Sequence, residues 1–236
     1  MNEHHAELLG ELNKNAEGSG AQPWPKLPSY LGTSKICYGV PAAVKGRIVR
    51  DLLKKHPDLT VPEYVELVSS LCRGRSFDEV SLAGALLGAA PKLRRQLDPR
   101  LLDRWLEYVE GWAETDSLCQ SSFTAQEVLA RWEEWQELLV EFATSSNIHK
   151  RRASLVLLAR PIRESADERL AELALANIER LKVEKGILIT KAVSWLLRDL
   201  VKHHKTKVAD YLEANADSLP RIAVRETRRK LLTGKK

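Results

Sequence analysis

Apolar residues recur at helical spacing along almost the whole chain, and the polar positions between them hold helix start and stop signals. Val40-Pro41 predicts a helix running to about Lys55, with proline near its first position. Thr60 with Glu63 has the spacing of a capping box and opens the next helix. Ser76 with Glu79 repeats the device for a helix to about Ala90. Asp98-Pro99 opens one expected to reach about Gly111, and Thr124 with Glu127 opens one expected to reach Ala143. Asn147 begins a helix expected to end near Arg160-Pro161, and Ser165 with Glu168 begins another to about Val183. Lys185-Gly186 punctuates, a helix follows to about His204, and two shorter helices finish the chain. Ile187 to Thr190 is β-prone, but Lys191 to Val201 continues it with helical spacing, so no strand is expected.

Residues 1–28 differ from the rest. They contain a short polar helix candidate, Asn2 to Lys14, followed by a stretch rich in Gly, Asn, Ser and Pro. That stretch ends in Pro23-Trp24-Pro25 and Pro28 and is expected to be flexible until it docks. Residues 29–236 then form the main domain. Its pattern predicts helices of roughly 10–20 residues in pairs recurring at roughly 35–45 residues, the size of a HEAT-type unit. The expected fold is all-α: a right-handed α-solenoid of HEAT-like antiparallel helix pairs. Many helices carry a polar or basic stripe opposite the apolar one, and a solenoid gathers such stripes on a concave face. A compact helical bundle is the structural alternative.

Charge changes the picture. Residues 1–144 hold 16 Lys and Arg against 21 Asp and Glu, a balance of −5. Residues 145–236 hold 21 against 11, a balance of +10. The C-terminal part therefore carries the positive field, which suits a polyanion such as nucleic acid or an anionic membrane surface; a solvated basic surface is the bland alternative. Cys37, Cys72 and Cys119 lie far apart, with no CxxC pair. His4-His5 and His203-His204 are adjacent pairs without ligand spacing, so no metal site is expected. The odd cysteine count, with no signal peptide, fits a reducing cytoplasm. No apolar run approaches the roughly 20 residues of a membrane span.

Three constellations can carry chemistry. Trp112 and Asp116 stand four apart, so an indole and a carboxylate share one face if that turn is helical. A core Trp beside a solvated Asp is the bland alternative. The run His149-Lys150-Arg151-Arg152 places four potential cations at a helix start, the end where the macrodipole disfavours them. Arg152 lies one turn from His149, while Leu155, Val156 and Leu158 anchor that helix. Lys191, Trp195 and Arg198 form a third stripe, opposite Val193, Leu196, Leu197 and Leu200. A Trp between two cations can contact a sugar or base while the cations hold phosphates. Further basic positions for the same groove are Lys202, Lys205, Lys207, Arg221, Arg225, Arg228 and Arg229.

Over about residues 30–232 the chain resembles the AlkD-like DNA alkylation repair family, the HEAT-like DNA glycosylases. The carriers are Tyr30-Leu31-Gly32, Tyr38-Gly39-Val40-Pro41, Trp112 with Asp116, Ser146-Asn147-Ile148 leading to Arg152, and Lys191 through Arg198. The resemblance implies a solenoid that grips duplex DNA and hydrolyses the N-glycosidic bond of N3- and N7-alkylated purines without metal or cofactor. It implies no need to flip the base, against the general expectation for base chemistry. By match to the motif, Asp116 is the catalytic carboxylate, Trp112 and Trp195 cradle the lesion's deoxyribose, and Arg152 holds the backbone. Tyr38, His149, Lys150, Arg151, Lys191, Arg198, Lys202 and Arg225 complete the expected DNA-binding set. Ala113 stands where the family often has Asp, and His149 where it often has an aromatic. The expected partner is double-stranded DNA containing alkylated bases, bound by a cytoplasmic, nucleoid-associated monomer with no membrane contact. A non-catalytic HEAT-like binder of duplex or branched DNA, and a HEAT-type protein scaffold, are the competing readings.

Overall fold

The computed structural model describes residues 2–18, 25–120 and 122–234. Among them all regular structure is helical, and the helices fall into two compact units, Met1–Ser122 and Phe123–Lys236. The Pro23-Trp24 part of the N-terminal expectation lies outside the described residues.

The first unit contains α1 (Glu3–Gly18), α2 (Leu27–Leu31), α3 (Ala42–Lys55), α4 (Val61–Cys72), α5 (Phe77–Ala89), α6 (Pro91–Arg94), α7 (Leu101–Trp105) and α8 (Trp112–Cys119). Helices α3, α5 and α8 pack side by side, and α4 lies against α5. Thr60 and Ser76 start α4 and α5 with complete capping boxes, as their spacing predicts. The polar helix expected to end at Lys14 runs on to Gly18 and docks on α3 and α4. It does so because its few apolar positions share a face: Leu8 and Leu12 are fully buried. Each such burial stabilises by about 1.5–3 kcal/mol. His5 adds a buried polar anchor, with Nδ1 2.7 Å from Ser70 Oγ and Nε2 2.9 Å from Glu79 Oε1.

The helix expected from Asp98 to Gly111 is instead broken. Helix α7 stops at Trp105, a 3-10 turn covers Leu106–Tyr108, and Val109 turns extended. Gly111 then caps α8 from an extended conformation with no side-chain bond, which is why the start signal was invisible in the sequence. Helix α8 approaches α5 closely at Gly84, where an added Cβ would stand 2.1 Å from the Ser117 carbonyl oxygen.

The second unit contains α9 (Ala125–Ala130), α10 (Trp132–Thr144), α11 (Ile148–Glu164), α12 (Glu168–Leu181), α13 (Ile187–Leu200), α14 (Lys205–Asn215) and α15 (Arg221–Thr233). Helices α11, α13 and α15 pack in one layer, α10 and α12 in another, with α10–α11, α11–α12 and α14–α15 pairing between successive helices. This i to i+2 stacking of helix pairs is solenoid-type packing. Buried Asn177 ties three helices, donating its amide to the Leu139 and Ser154 carbonyls at 3.2 and 3.3 Å.

Three sequence-based boundaries shift here. The helix from Thr124 breaks at Arg131, whose φ −128° and ψ 47° are not helical. Helix α11 passes through Pro161 and ends at Glu164. Proline removes one N–H bond, but its carbonyl still accepts from Ser165 N–H at 3.0 Å, so the last turn closes. Helix α12 is capped by Asp167, which accepts from Arg169 N–H, while Ser165 supports Asp167 in turn. The β-prone Ile187–Thr190 run forms the first turn of α13, with Ile189 buried. Among the described residues no helix is long and apolar enough to cross a membrane.

Candidate functional site

Tyr38, Trp112 and Asp116 belong to the first unit; the other sequence-predicted site residues belong to the second.

In the first unit the decisive local event is the start of α8. Gly32 closes α2 with φ 73°, a left-handed conformation that favours glycine. Gly111 packs on it so tightly that a Cβ there would meet the Leu31 carbonyl oxygen at 2.3 Å. This contact of two glycines brings Trp112 beside Tyr30. The indole Nε1 donates to the Tyr30 carbonyl at 2.7 Å, and the two rings meet edge-on at 5.6 Å and 89°. One turn later, Asp116 follows on the same side of the helix. Both side chains are half-buried, whereas Ala113, Glu114, Thr115, Leu118 and Cys119 turn into the core. The conditional expectation from the spacing is therefore met: the turn is helical, and indole and carboxylate share the partly open strip.

Three carboxylates hold the loop before α3: Glu114 and Asp78 are buried, and Glu110 is exposed. Glu114 accepts from Thr33 Oγ1 at 2.6 Å and from the Glu110 N–H at 2.8 Å, and faces Lys35 Nζ at 3.3 Å. Glu110 accepts from both the hydroxyl and the N–H of Ser34 at 2.7 Å. The Ser34 hydroxyl, its N–H and Lys35 hold the Glu110 carboxyl below its ordinary value despite some desolvation. Asp78 accepts from the Tyr38 N–H at 2.7 Å and from Lys45 Nζ at 3.1 Å. Tyr38 itself is half-buried, and burial raises its phenol above the usual range. None of these three carboxylates stands out in the sequence as a loop anchor; Asp78 sits in a helix start where only its capping neighbours draw attention.

In the second unit α13 carries the stripe its spacing predicts. Lys191 is exposed, Trp195 and Arg198 are half-buried, and Ala192, Val193, Leu196, Leu197 and Leu200 are buried. The charge of Arg198 is moderated. Its Nε donates to the Ser194 carbonyl at 3.1 Å, and Glu226 of α15 stands 3.4 Å from its guanidinium. Glu226 also accepts from the Ser194 hydroxyl at 2.6 Å and lies 3.7 Å from Arg225, whose side chain is exposed. Lys202 is exposed and donates to the Arg163 carbonyl at 2.6 Å.

The run opening α11 folds largely inward. His149, Lys150 and Arg152 are buried. Arg152 donates to the Leu188 carbonyl, clamping α11 to the first turn of α13. Arg151 pairs with Glu184 at 2.7 Å and donates to the Ser145 and Ser146 carbonyls at 2.8 Å. It thereby closes the turn ahead of the helix, where Asn147 Oδ1 accepts from the His149 N–H. These cations at an unfavourable helix end are thus in part a local structural device.

A family profile described as DNA alkylation repair enzyme matches residues 11–231. The chain belongs to this family. The match takes in α1 from its middle onward and every helix after it. Among solved structures the chain is similar to one described as a predicted DNA alkylation repair enzyme from Enterococcus faecalis, at 17% identity and TM-score 0.70. That likeness covers 88% of this chain and 94% of the other and supports the shared all-helical fold. No curated protein matches. Membership in a DNA alkylation repair family makes DNA the relevant substrate. The first unit offers a half-buried carboxylate one turn from a held indole, and the second unit an indole between two cations.

Proposed function

We propose that the protein is a monofunctional DNA glycosylase for cationic alkylpurines in duplex DNA, acting without base flipping. Alkylation at N3 or N7 makes the purine a cation and hence a good leaving group, so no general acid is needed. The remaining demand is stabilisation of an oxocarbenium-like sugar, as in glycoside hydrolysis. Asp116 supplies a carboxylate that stabilises this charge and orients water. Trp112, on the same strip as Asp116, presents an electron-rich face to the developing cation, and Trp195 is assigned to contact with deoxyribose. Lys191 and Arg198 bind phosphates, with Tyr38, Lys202 and Arg225 in the wider DNA-binding set; of the other expected contacts, His149 and Lys150 are buried and Arg151 is held by Glu184. Arg152 is assigned to the backbone near the lesion, and its clamp on Leu188 suits it to holding its neighbours in place.

The observation that carries this reading is α8, with Trp112 and Asp116 on one partly open strip and Trp112 locked onto Tyr30. The test is release of 7-methylguanine or 3-methyladenine from methylated duplex DNA. Wild type is expected to release base, and Asp116→Asn to release far less while binding duplex comparably. Equal release by both proteins would refute the role given to Asp116. Salt-sensitive duplex binding with no release by wild type would favour the non-catalytic alternative.

A further inference from the structure

A second constellation lies in the first unit, on the docked N-terminal helix. His4 and Glu7 stand one turn apart on α1, and His56 is the residue that caps the C-terminal end of α3. His56 Nε2 lies 3.0 Å from Glu7 Oε2. The two imidazoles meet edge-on, their centroids 4.4 Å apart. One ligating atom from each of His4, Glu7 and His56 lies within 4.8 Å of the other two. All three residues are half-buried, and the buried Nδ1 of His4 has no hydrogen-bond partner.

Ordinary packing explains part of this. Lys55 Nζ is 2.8 Å from Glu7 Oε1 and neutralises one carboxylate oxygen. It does not explain why two imidazoles are held against each other and against the second oxygen, with a buried ring nitrogen left unsatisfied. A buried polar atom without a partner is costly, and a cation shared by the three donors relieves the arrangement.

We infer that His4, Glu7 and His56 bind a divalent transition-metal ion of the zinc class. Two imidazole nitrogens and one carboxylate oxygen are a donor set that zinc accepts, with the remaining position left to water. With ligand distances of about 2.0–2.1 Å, tetrahedral donors stand about 3.4 Å apart. Binding requires the present envelope of 4.8 Å to close to that spacing through side-chain rotation. Glu7 Oε1 stays with Lys55 as an outer partner while Oε2 turns to the metal. The ion would staple α1 to the end of α3. Its ligands come from distant segments and meet when α1 docks, so adjacent-histidine spacing gives no sign of the site. This inference is independent of the glycosylase reading.

The test is zinc binding by the full chain after chelator treatment, followed by calorimetry and by the visible spectrum of added cobalt(II). Wild type is expected to take up one equivalent of zinc, to melt at a higher temperature with it, and to give intense cobalt absorption. His4→Ala and His56→Ala should each lose that equivalent and the zinc-dependent melting shift, while His203→Ala keeps both. Glu7→Gln, which retains hydrogen-bonding capacity, serves where an alanine variant does not fold and should lose the equivalent too. No uptake by wild type, or equal uptake by the ligand variants, would overturn the inference.

Discussion

The indole N–H of Trp112 donates to the carbonyl oxygen of Tyr30 at 2.7 Å, and the phenol ring of Tyr30 stands edge-on to that indole. The indole is thus held from two directions at the first position of α8. Trp112→Phe keeps an aromatic face but removes the donor. A hydrogen bond of this kind is worth about 0.5–1.5 kcal/mol. We expect single-turnover base release to fall by up to about 10-fold, with a small change in melting temperature. A wild-type rate in Trp112→Phe would show that fixing the ring is irrelevant to the reaction.

The Gly32–Gly111 contact makes the same site sensitive to a single methyl group. In Gly111→Ala the new Cβ would meet the Leu31 carbonyl oxygen at 2.3 Å, a backbone atom that cannot swing away. Overpacking of this sort costs about 1–3 kcal/mol. Gly88→Ala is the control, because nothing lies within 4 Å of its added Cβ and it sits in α5. There we expect no loss, or a gain of about 0.5–1 kcal/mol from the better helix former. Urea denaturation of the two variants checks the contrast; similar midpoints would mean that the α2–α8 contact yields without strain.

What was legible in the sequence was what local chemistry dictates. The capping boxes at Thr60, Ser76 and Thr124 formed because donor and acceptor are three residues apart. The α13 stripe formed because its apolar side is continuous. Illegible features depend on partners far along the chain. The start of α8 rests on a backbone contact with α2, and the inward turn of Arg152 rests on the Leu188 carbonyl, 36 residues away. Charge alone marked the α11 run as basic, and could not tell that Arg151 would pair with Glu184.

Lys191 and Glu226 should move DNA affinity in opposite directions. Lys191 is exposed on the Trp195 stripe, whereas Glu226 sets a carboxylate 3.4 Å from Arg198. If Lys191 neutralises one phosphate, Lys191→Ala lowers the slope of log affinity against log salt by about 0.9. Glu226→Gln removes the competing charge and should tighten binding at low salt, the gain fading as salt screens it. Fluorescence titrations of duplex DNA at several salt concentrations read both effects. An unchanged slope in Lys191→Ala would remove that residue from the phosphate contacts.

The His5–Glu79 contact is expected to couple the docking of α1 to pH. Burial alone would raise its carboxyl, but bonds from His5, the Ser76 hydroxyl and the Ser76 N–H outweigh it and leave the group below its ordinary value of 4.5. A carboxyl depressed in the folded state contributes stability that is fully present above its unfolded value and is lost as pH falls through its folded value. We therefore expect the urea midpoint to drop as pH is lowered below about 4.5, with part of the drop arising at Glu79. Glu79→Gln preserves the capping-box spacing but cannot titrate. It should be less stable than wild type at neutral pH, where the charged bond to His5 is lost, and should show a shallower acid decline. Other depressed carboxyls, among them Glu7 and Glu110, keep that decline from vanishing. Parallel acid profiles for wild type and Glu79→Gln would show that the His5–Glu79 pair does not link α1 docking to pH.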